Sequence, residues 1–163
     1  MERDESMPRR KSIRLKGFSY DTPGVYFLTV CTQPRQNYFW QNVGAAIGRP
    51  QDVVLSSYGR IVEESIRRIS AVYPSVFVDR YVILPDHFHL LLVIRSDEYG
   101  RPMAAPTVDN IINKMKGYVS KKIGKSIWQK GYVDHIIRNR RDYEEHVKYI
   151  EENPLRWQNK HAE

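Results

Sequence analysis

The sequence predicts an α+β fold: a ferredoxin-like antiparallel sheet with helices packed on one face. Three observations predict it. Runs of strand length, rich in β-branched and aromatic residues, are interspersed with segments whose apolar residues recur every three to four positions. Two of the runs, "SVFVDRYVILP" (75–85) and "HFHLLLVIR" (87–95), are joined so tightly at Pro85–Asp86 that proximity makes them an antiparallel pair. The 163 residues, 41% hydrophobic and 28% charged, suit one domain with a real core and are too few for two.

The elements follow in order. Residues 1–17, including "PRRKSIRLKG", are charged and without periodicity, so they read as a flexible basic arm ahead of a single domain at 18–163. "GVYFLTVCT" (24–32) is a strand. Pro34, Gly44, Gly48 and Pro50 mark a long loop, with room for short strands at Tyr38–Trp40 and at "DVVLSS" (52–57). From Tyr58 to Ala71 the positions Ile61, Val62, Ile66 and Ile69 keep helical spacing, and Pro74 closes that helix. The two paired strands come next. "GRPMAAP" (100–106) is a loop, and Thr107 caps a helix whose buried stripe is Ile111, Ile112, Met115 and Val119, ended by Gly124. "YVDHIIRN" (132–139) is a last strand. "RDYEEHVKYIEEN" (141–153) is a last helix, stopped by Pro154.

Lys plus Arg exceed Asp plus Glu by 26 − 19 = 7, and the pI is about 9.5. The excess points to a polyanionic partner, nucleic acid first. Lys114, Lys116, Lys121, Lys122 and Lys125, and the cluster Arg138, Arg140 and Arg141, are interleaved with Tyr118, Trp128 and Tyr132. Charge for the backbone and rings for the bases is what a single-strand groove uses, although charge runs are more often simply solvated faces. Lys114, Lys116, Lys121, Arg138 and Arg140 are the candidate DNA contacts. The one cysteine, Cys31, has no partner for an intrachain disulfide and sits in an apolar run, as a buried thiol in a reducing compartment would. No segment has the apolar length of a membrane span or a secretory h-region, so a cytoplasmic protein is expected.

Within "YVILPDHFHLLLVI" (81–94), His87 and His89 lie two residues apart, on one face of a strand, with Phe88 on the other. Two imidazoles on one face are either a surface accident or half of a metal site. On the last helix, Tyr143, Val147 and Ile150 form the core stripe. Asp142, His146, Tyr149 and Asn153 form a second stripe about a quarter turn away. Tyr149 and Asn153, at i and i+4, project together and stand where they could meet the histidine face. Taken alone, Tyr149 reads as an amphipathic edge residue and Asn153 as a helix C-cap.

The ordered set "GVYFLTVCT", "SSYGRIVEESI", "DRYVILPDHFHLLLVI" and "IWQKGYVDHIIRNRRDYEEHVKYIEENP" resembles the single-tyrosine HUH transposases, in particular the REP-associated tyrosine transposases and their insertion-sequence relatives. The resemblance covers most of the chain. It implies an HUH nuclease fold and a metal-dependent single-stranded DNA endonuclease and strand transferase acting through a 5′-phosphotyrosine. It places two metal ligands on His87 and His89, the third on Asn153 and the nucleophile on Tyr149. It implies Mg or Mn as the ion, single-stranded or hairpin DNA as the partner, and a homodimer. His135 in "VDHIIR" also falls on a family position, as a structural or DNA-facing residue. The family usually has Asn before the first histidine, where this chain has Asp86. The implied chemistry is physically coherent. A divalent ion withdraws charge from the phosphodiester, and a tyrosine nucleophile conserves the bond energy for rejoining. A free phenol ionises near pH ~10, so the nucleophile needs activation by the metal or a neighbouring base, for which His146 is a candidate. The competing readings are an RRM-like, non-catalytic nucleic-acid-binding module and a metal-dependent hydrolase that uses water.

Overall fold

The computed structural model describes residues 24–41, 53–95 and 107–160. The basic arm at 1–17 and the loops at 44–50 and 100–106 lie outside the described residues. The described residues form seven elements: β1 (Gly24–Cys31), α1 (Ser57–Val72), β2 (Val76–Ile83), β3 (His87–Ile94), α2 (Val108–Ile123), β4 (Val133–Ile136) and α3 (Arg140–Lys160). The strands form one antiparallel sheet in the order β2-β3-β1-β4, the ferredoxin-like arrangement of two interleaved βαβ halves.

Strand alternation gives the sheet two different faces. Tyr26, Leu28 and Val30 of β1 and Phe88, Leu90, Leu92 and Ile94 of β3 point one way and are fully enclosed. Helices α1 and α2 cover this face. The buried stripe of α1 is Val62, Ile66 and Ile69, and Tyr81, cross-strand partner of Leu90, donates its hydroxyl to Glu63 of α1. Thr107 caps α2 by accepting from the Asn110 N–H, and Gly124 ends it in the left-handed conformation at φ 92°, which suits a residue without Cβ. Tyr118 of α2 donates to Glu64 of α1, tying the two helices together.

The opposite face carries Phe27, Thr29 and Cys31 of β1 and His87, His89 and Leu91 of β3, and α3 lies across it. The expectation of helices on one face is therefore corrected: two cover one side and the third covers the other. A β-bulge interrupts the β2–β3 pairing between Val78 and Arg80. It turns Asp79 and Arg80 together toward the helix, where Asp79 accepts from the Tyr143 hydroxyl and Arg80 pairs with Glu151 at 3.2 Å.

Three local expectations also change. The last strand is only Val133–Ile136 rather than 132–139, because Asn139 accepts from the Asp142 N–H and opens the helix early. Helix α3 does not stop at Asn153 but runs through Pro154 to Lys160. Proline removes one backbone donor, yet packing keeps the next turn helical: Trp157 sets its ring against Trp40 at 5.1 Å, and Trp40 donates its indole N–H to the Ile83 carbonyl. The expected short strands at 38–40 and 52–57 reduce to a single bridge, Trp40 to Leu55.

Candidate functional site

His87 and His89 owe their common face to β3, and the pairing register sets Cys31 opposite His87 and Thr29 opposite His89. Their rings meet edge to face at 4.9 Å. Each has one nitrogen already engaged. Nδ1 of His89 shares a 2.8 Å hydrogen bond with the Thr29 hydroxyl, and Nδ1 of His87 donates to Asp86 Oδ1 at 2.7 Å. With the proton on Nδ1 in both, each Nε2 offers a lone pair to whatever lies above the sheet. His89 is 4% exposed and its Nε2 is buried without a hydrogen-bond partner among the described residues. Burial, with a smaller contribution from the neighbouring side chains, the Arg35 guanidinium among them, pushes its pKa down to about 3. The ring is therefore neutral, the form in which imidazole binds a metal.

Asp86 stands at the turn before β3. Its carboxylate takes the His87 N–H on one side and the Arg35 guanidinium on the other, at 3.0 Å from Nε. Burial opposes its charge, but hydrogen bonds from His87 and then Arg35 outweigh that and hold its pKa at about 2. A carboxylate here fixes the orientation of the His87 ring. Thr29, Phe27 and Arg35 were not identified from sequence. Thr29 and Phe27 share a face in the first strand by simple alternation, but only the register shows which strand they oppose.

Helix α3 brings the second half. Phe27 is the floor of the contact, with its ring 5.0 Å from His89, 4.7 Å from His146 and 6.0 Å from Tyr149. Tyr149 stands edge-on to His89 at 5.3 Å, is 39% exposed, and has no hydrogen bond from its hydroxyl among the described residues. Asn153, one turn on, is 7% exposed, and its side-chain nitrogen has no partner among the described residues. It lies on the helix between Tyr149, over His89, and Trp157, against Trp40, and so toward the His87 end of the sheet. The structure thus brings His87, His89, Tyr149 and Asn153 to one side of the sheet. A cleft lined by Thr29, Cys31, Gln129, Lys130, Gly131 and Val133 opens on the β1–β4 side of the histidines.

Tyr132 and Tyr143 engage their hydroxyls elsewhere. Tyr143 donates to Asp79 and Tyr132, 7% exposed, to Asp109. Of the candidate DNA contacts, Lys116 turns its ammonium to the Gln129 and Gly131 carbonyls. Lys114 and Lys121 are exposed on α2, across the sheet from Tyr149. Arg138 and Arg140 are exposed at the start of α3, on the Tyr149 side, with Arg140 paired to Glu144. Cys31 is buried and reduced, 3.6 Å from Arg35, and burial raises its pKa.

A second group of ligand-type side chains adjoins the first. His135 of β4 and Asp142 and His146 of α3 each place one N or O atom within 4.8 Å of the others, so this cluster could hold a metal ion.

No family model matches the chain. It is 28% identical over 168 residues to an uncharacterised protein of Haemophilus influenzae, covering 91% of this chain and 90% of that one. It is 30% identical over 80 residues to the REP-associated tyrosine transposase of Escherichia coli (strain K12), covering 48% of this chain and 44% of that protein. Its fold matches a solved structure of a REP-associated tyrosine transposase bound to a REP hairpin, with a TM-score of 0.59 and 22% identity, over 88% of this chain and 73% of that one. No helix among the described residues is long and apolar enough to cross a membrane.

Proposed function

We propose, from the chain's likeness in sequence and in fold to REP-associated tyrosine transposases, that it is a transposase-type enzyme that cuts and rejoins single-stranded or hairpin DNA through Tyr149. The observation that carries this is the meeting of Tyr149, edge-on, with the deeply buried and proton-poor His89.

The residues fit a divalent ion. An acceptor buried without a partner costs roughly 1–3 kcal/mol, so the orphaned Nε2 of His89 favours a ligand that engages it. His87, His89 and Asn153 would hold the ion, Mg or Mn, and Thr29 and Asp86 would fix the two rings. When bound, such an ion polarises a phosphate oxygen and lowers the cost of charge in the transition state.

The chain's own residues do the rest. The Tyr149 oxygen, unburdened by internal hydrogen bonds, attacks phosphorus as its proton leaves to a base or to water. The O3′–P bond breaks, the departing oxygen takes a proton to become a 3′-hydroxyl, and the 5′-phosphate stays on the phenol as an ester. Reversal with a new 3′-hydroxyl rejoins DNA without a nucleotide cofactor. Phe27 keeps water from the underside of the site. Arg138 and Arg140 stand on the same side to meet the backbone charge.

The test is a denaturation-resistant adduct. The full chain, incubated with labelled single-stranded or hairpin oligonucleotides from repeats flanking its gene, should form a covalent complex with Mg or Mn and none in EDTA. No adduct with any flanking repeat, or an equal yield in EDTA, overturns the reading. A binding module or a water-using hydrolase gives no adduct at all.

A further inference from the structure

We propose that His135, Asp142 and His146 form a second cation site, selective for a transition ion of the zinc, cobalt, nickel or manganese class, one helical turn before Tyr149. The site is separate from the His87 and His89 pair and does not depend on the proposed reaction.

Its ligands come from two elements held in fixed relation. His135 is set opposite Phe27 by the β1–β4 register, while Asp142 and His146 stand one turn apart on one face of α3. The Asp142 carboxylate is anchored besides, since it accepts from the Arg138 N–H at 3.1 Å. The Asp142 backbone N–H in turn bonds to Asn139. Nε2 of His135 lies 2.9 and 3.1 Å from the two carboxylate oxygens, and Nδ1 of His146 lies 3.2 Å from Oδ1. Those lengths match the edges of a coordination shell. With metal–ligand bonds of about 2.1 Å, neighbouring ligand atoms stand about 3.0 Å apart in an octahedron and about 3.4 Å apart in a tetrahedron.

In the metal-free chain these atoms share protons instead. His135 Nε2–H donates to the carboxylate, and His146 Nδ1–H donates to the Asp142 backbone carbonyl at 2.8 Å. A cation takes the place of those two protons, and each ring carries its proton on the other nitrogen, so both stay neutral and no net proton is lost. The rings stack at 4.6 Å, so binding one ion between them requires the His146 ring to turn away from the Asp142 carbonyl and out of that stack. Two imidazoles and one carboxylate favour a transition ion over magnesium or calcium. All three residues are part-exposed, which leaves coordination positions to water or a phosphate oxygen. Arg140 and Arg141 do not repel the ion strongly, because each is paired along the helix with Glu144 or Glu145. Filling the site would pin β4 to the helix that carries Tyr149.

The experiment uses the full chain stripped with EDTA and titrated with zinc, and with cobalt(II) for its absorption bands. The His87→Ala/His89→Ala double variant should still bind one zinc per chain. His135→Gln and His146→Gln should each weaken that site at least tenfold in the same background. Zinc should raise the thermal midpoint of the double variant but not that of the variants lacking His135 or His146. No zinc binding by the folded double variant overturns the proposal, as does zinc binding that His135→Gln and His146→Gln leave unchanged. If the double variant does not fold, the wild-type chain decides. There His135→Gln must reduce the stoichiometry by one, and an unreduced count overturns the site. Adduct formation is not read, so either result leaves the tyrosine chemistry to its own test.

Discussion

Three tyrosines, at 132, 143 and 149, compete for the nucleophile's role, and their hydroxyls separate them. Tyr132 and Tyr143 each hold a carboxylate from another element, so their oxygens serve the fold. Tyr143→Phe should cost about 0.5–1.5 kcal/mol of stability, since it removes the hydrogen bond to half-buried Asp79, and should leave the covalent adduct intact. Tyr149→Phe should change stability by less than about 0.5 kcal/mol and abolish the adduct. Urea unfolding and adduct yield on both variants check this, and an adduct that survives Tyr149→Phe would move the nucleophile elsewhere. His89 supplies a second prediction at this scale. Its pKa falls from an ordinary 6.5 to about 3 on folding, so between those values the unfolded chain takes up a proton that the folded chain refuses. In metal-free chain this contribution to stability is whole above pH 6.5 and is lost as the pH falls toward 3. Unfolding free energies at pH 7.5 and 5 should therefore differ more in the wild type than in His89→Gln; equal differences would mean that His89 accepts its proton in the fold.

Helix α1 shows how a single small residue seats an element. Gly59 lies in its first turn, and a Cβ there would collide with the Phe39 backbone carbonyl, which cannot swing aside as a side-chain tip could. The same carbonyl accepts from the Ser56 N–H, and Ser56 Oγ caps the helix through the Gly59 N–H. Gly59→Ala should accordingly destabilise the chain by about 1–3 kcal/mol even though alanine is the better helix former. Thermal unfolding decides it, and a raised midpoint would show that the helix can shift. At the other end of the chain, α3 is built on the opposite balance. Its proline is tolerated because Trp157 and Trp40 anchor the turn beyond it, and the continued helix carries Asn153 in mid-span rather than at a frayed end.

Among the described residues, the sheet divides the candidate basic contacts between two sides. Lys114 and Lys121 are exposed on α2, while Arg138 and Arg140 are exposed at the start of α3, more than two turns before Tyr149. A strand held on the α3 side of the sheet, where Tyr149 stands, would lie nearer these arginines than the α2 lysines. Arg138→Ala and Arg140→Ala should each weaken binding of single-stranded DNA and lower the salt slope by about 1, whereas Lys114→Ala and Lys121→Ala should leave the slope unchanged. Equal losses from both pairs would mean that DNA wraps the whole domain. Duplex should bind and react less well than the same strand unpaired, because the helix-borne phenol needs a phosphate it can approach in line.

Local pattern was enough for much of this molecule. Strand alternation put His87 and His89 on one face. Helical spacing put Tyr149 and Asn153 on one stripe, apart from Tyr143, Val147 and Ile150. The cap at Thr107 and the stop at Gly124 were legible because each depends on its own side chain or its lack of one. What the sequence could not decide was everything set by partners distant along the chain. The side of the sheet on which α3 packs is marked by its contacts with Asp79 and Phe27, both distant along the chain. The survival of the helix past Pro154 depends on Trp40, more than a hundred residues away. The roles of Thr29 and Arg35 depend on strand register, and the meeting of His135 with Asp142 and His146 depends on how β4 lies beside the last helix. Spacing is a property of the chain's own geometry and can be read from it. These contacts are energetic choices among many packings, and only the folded core selects one.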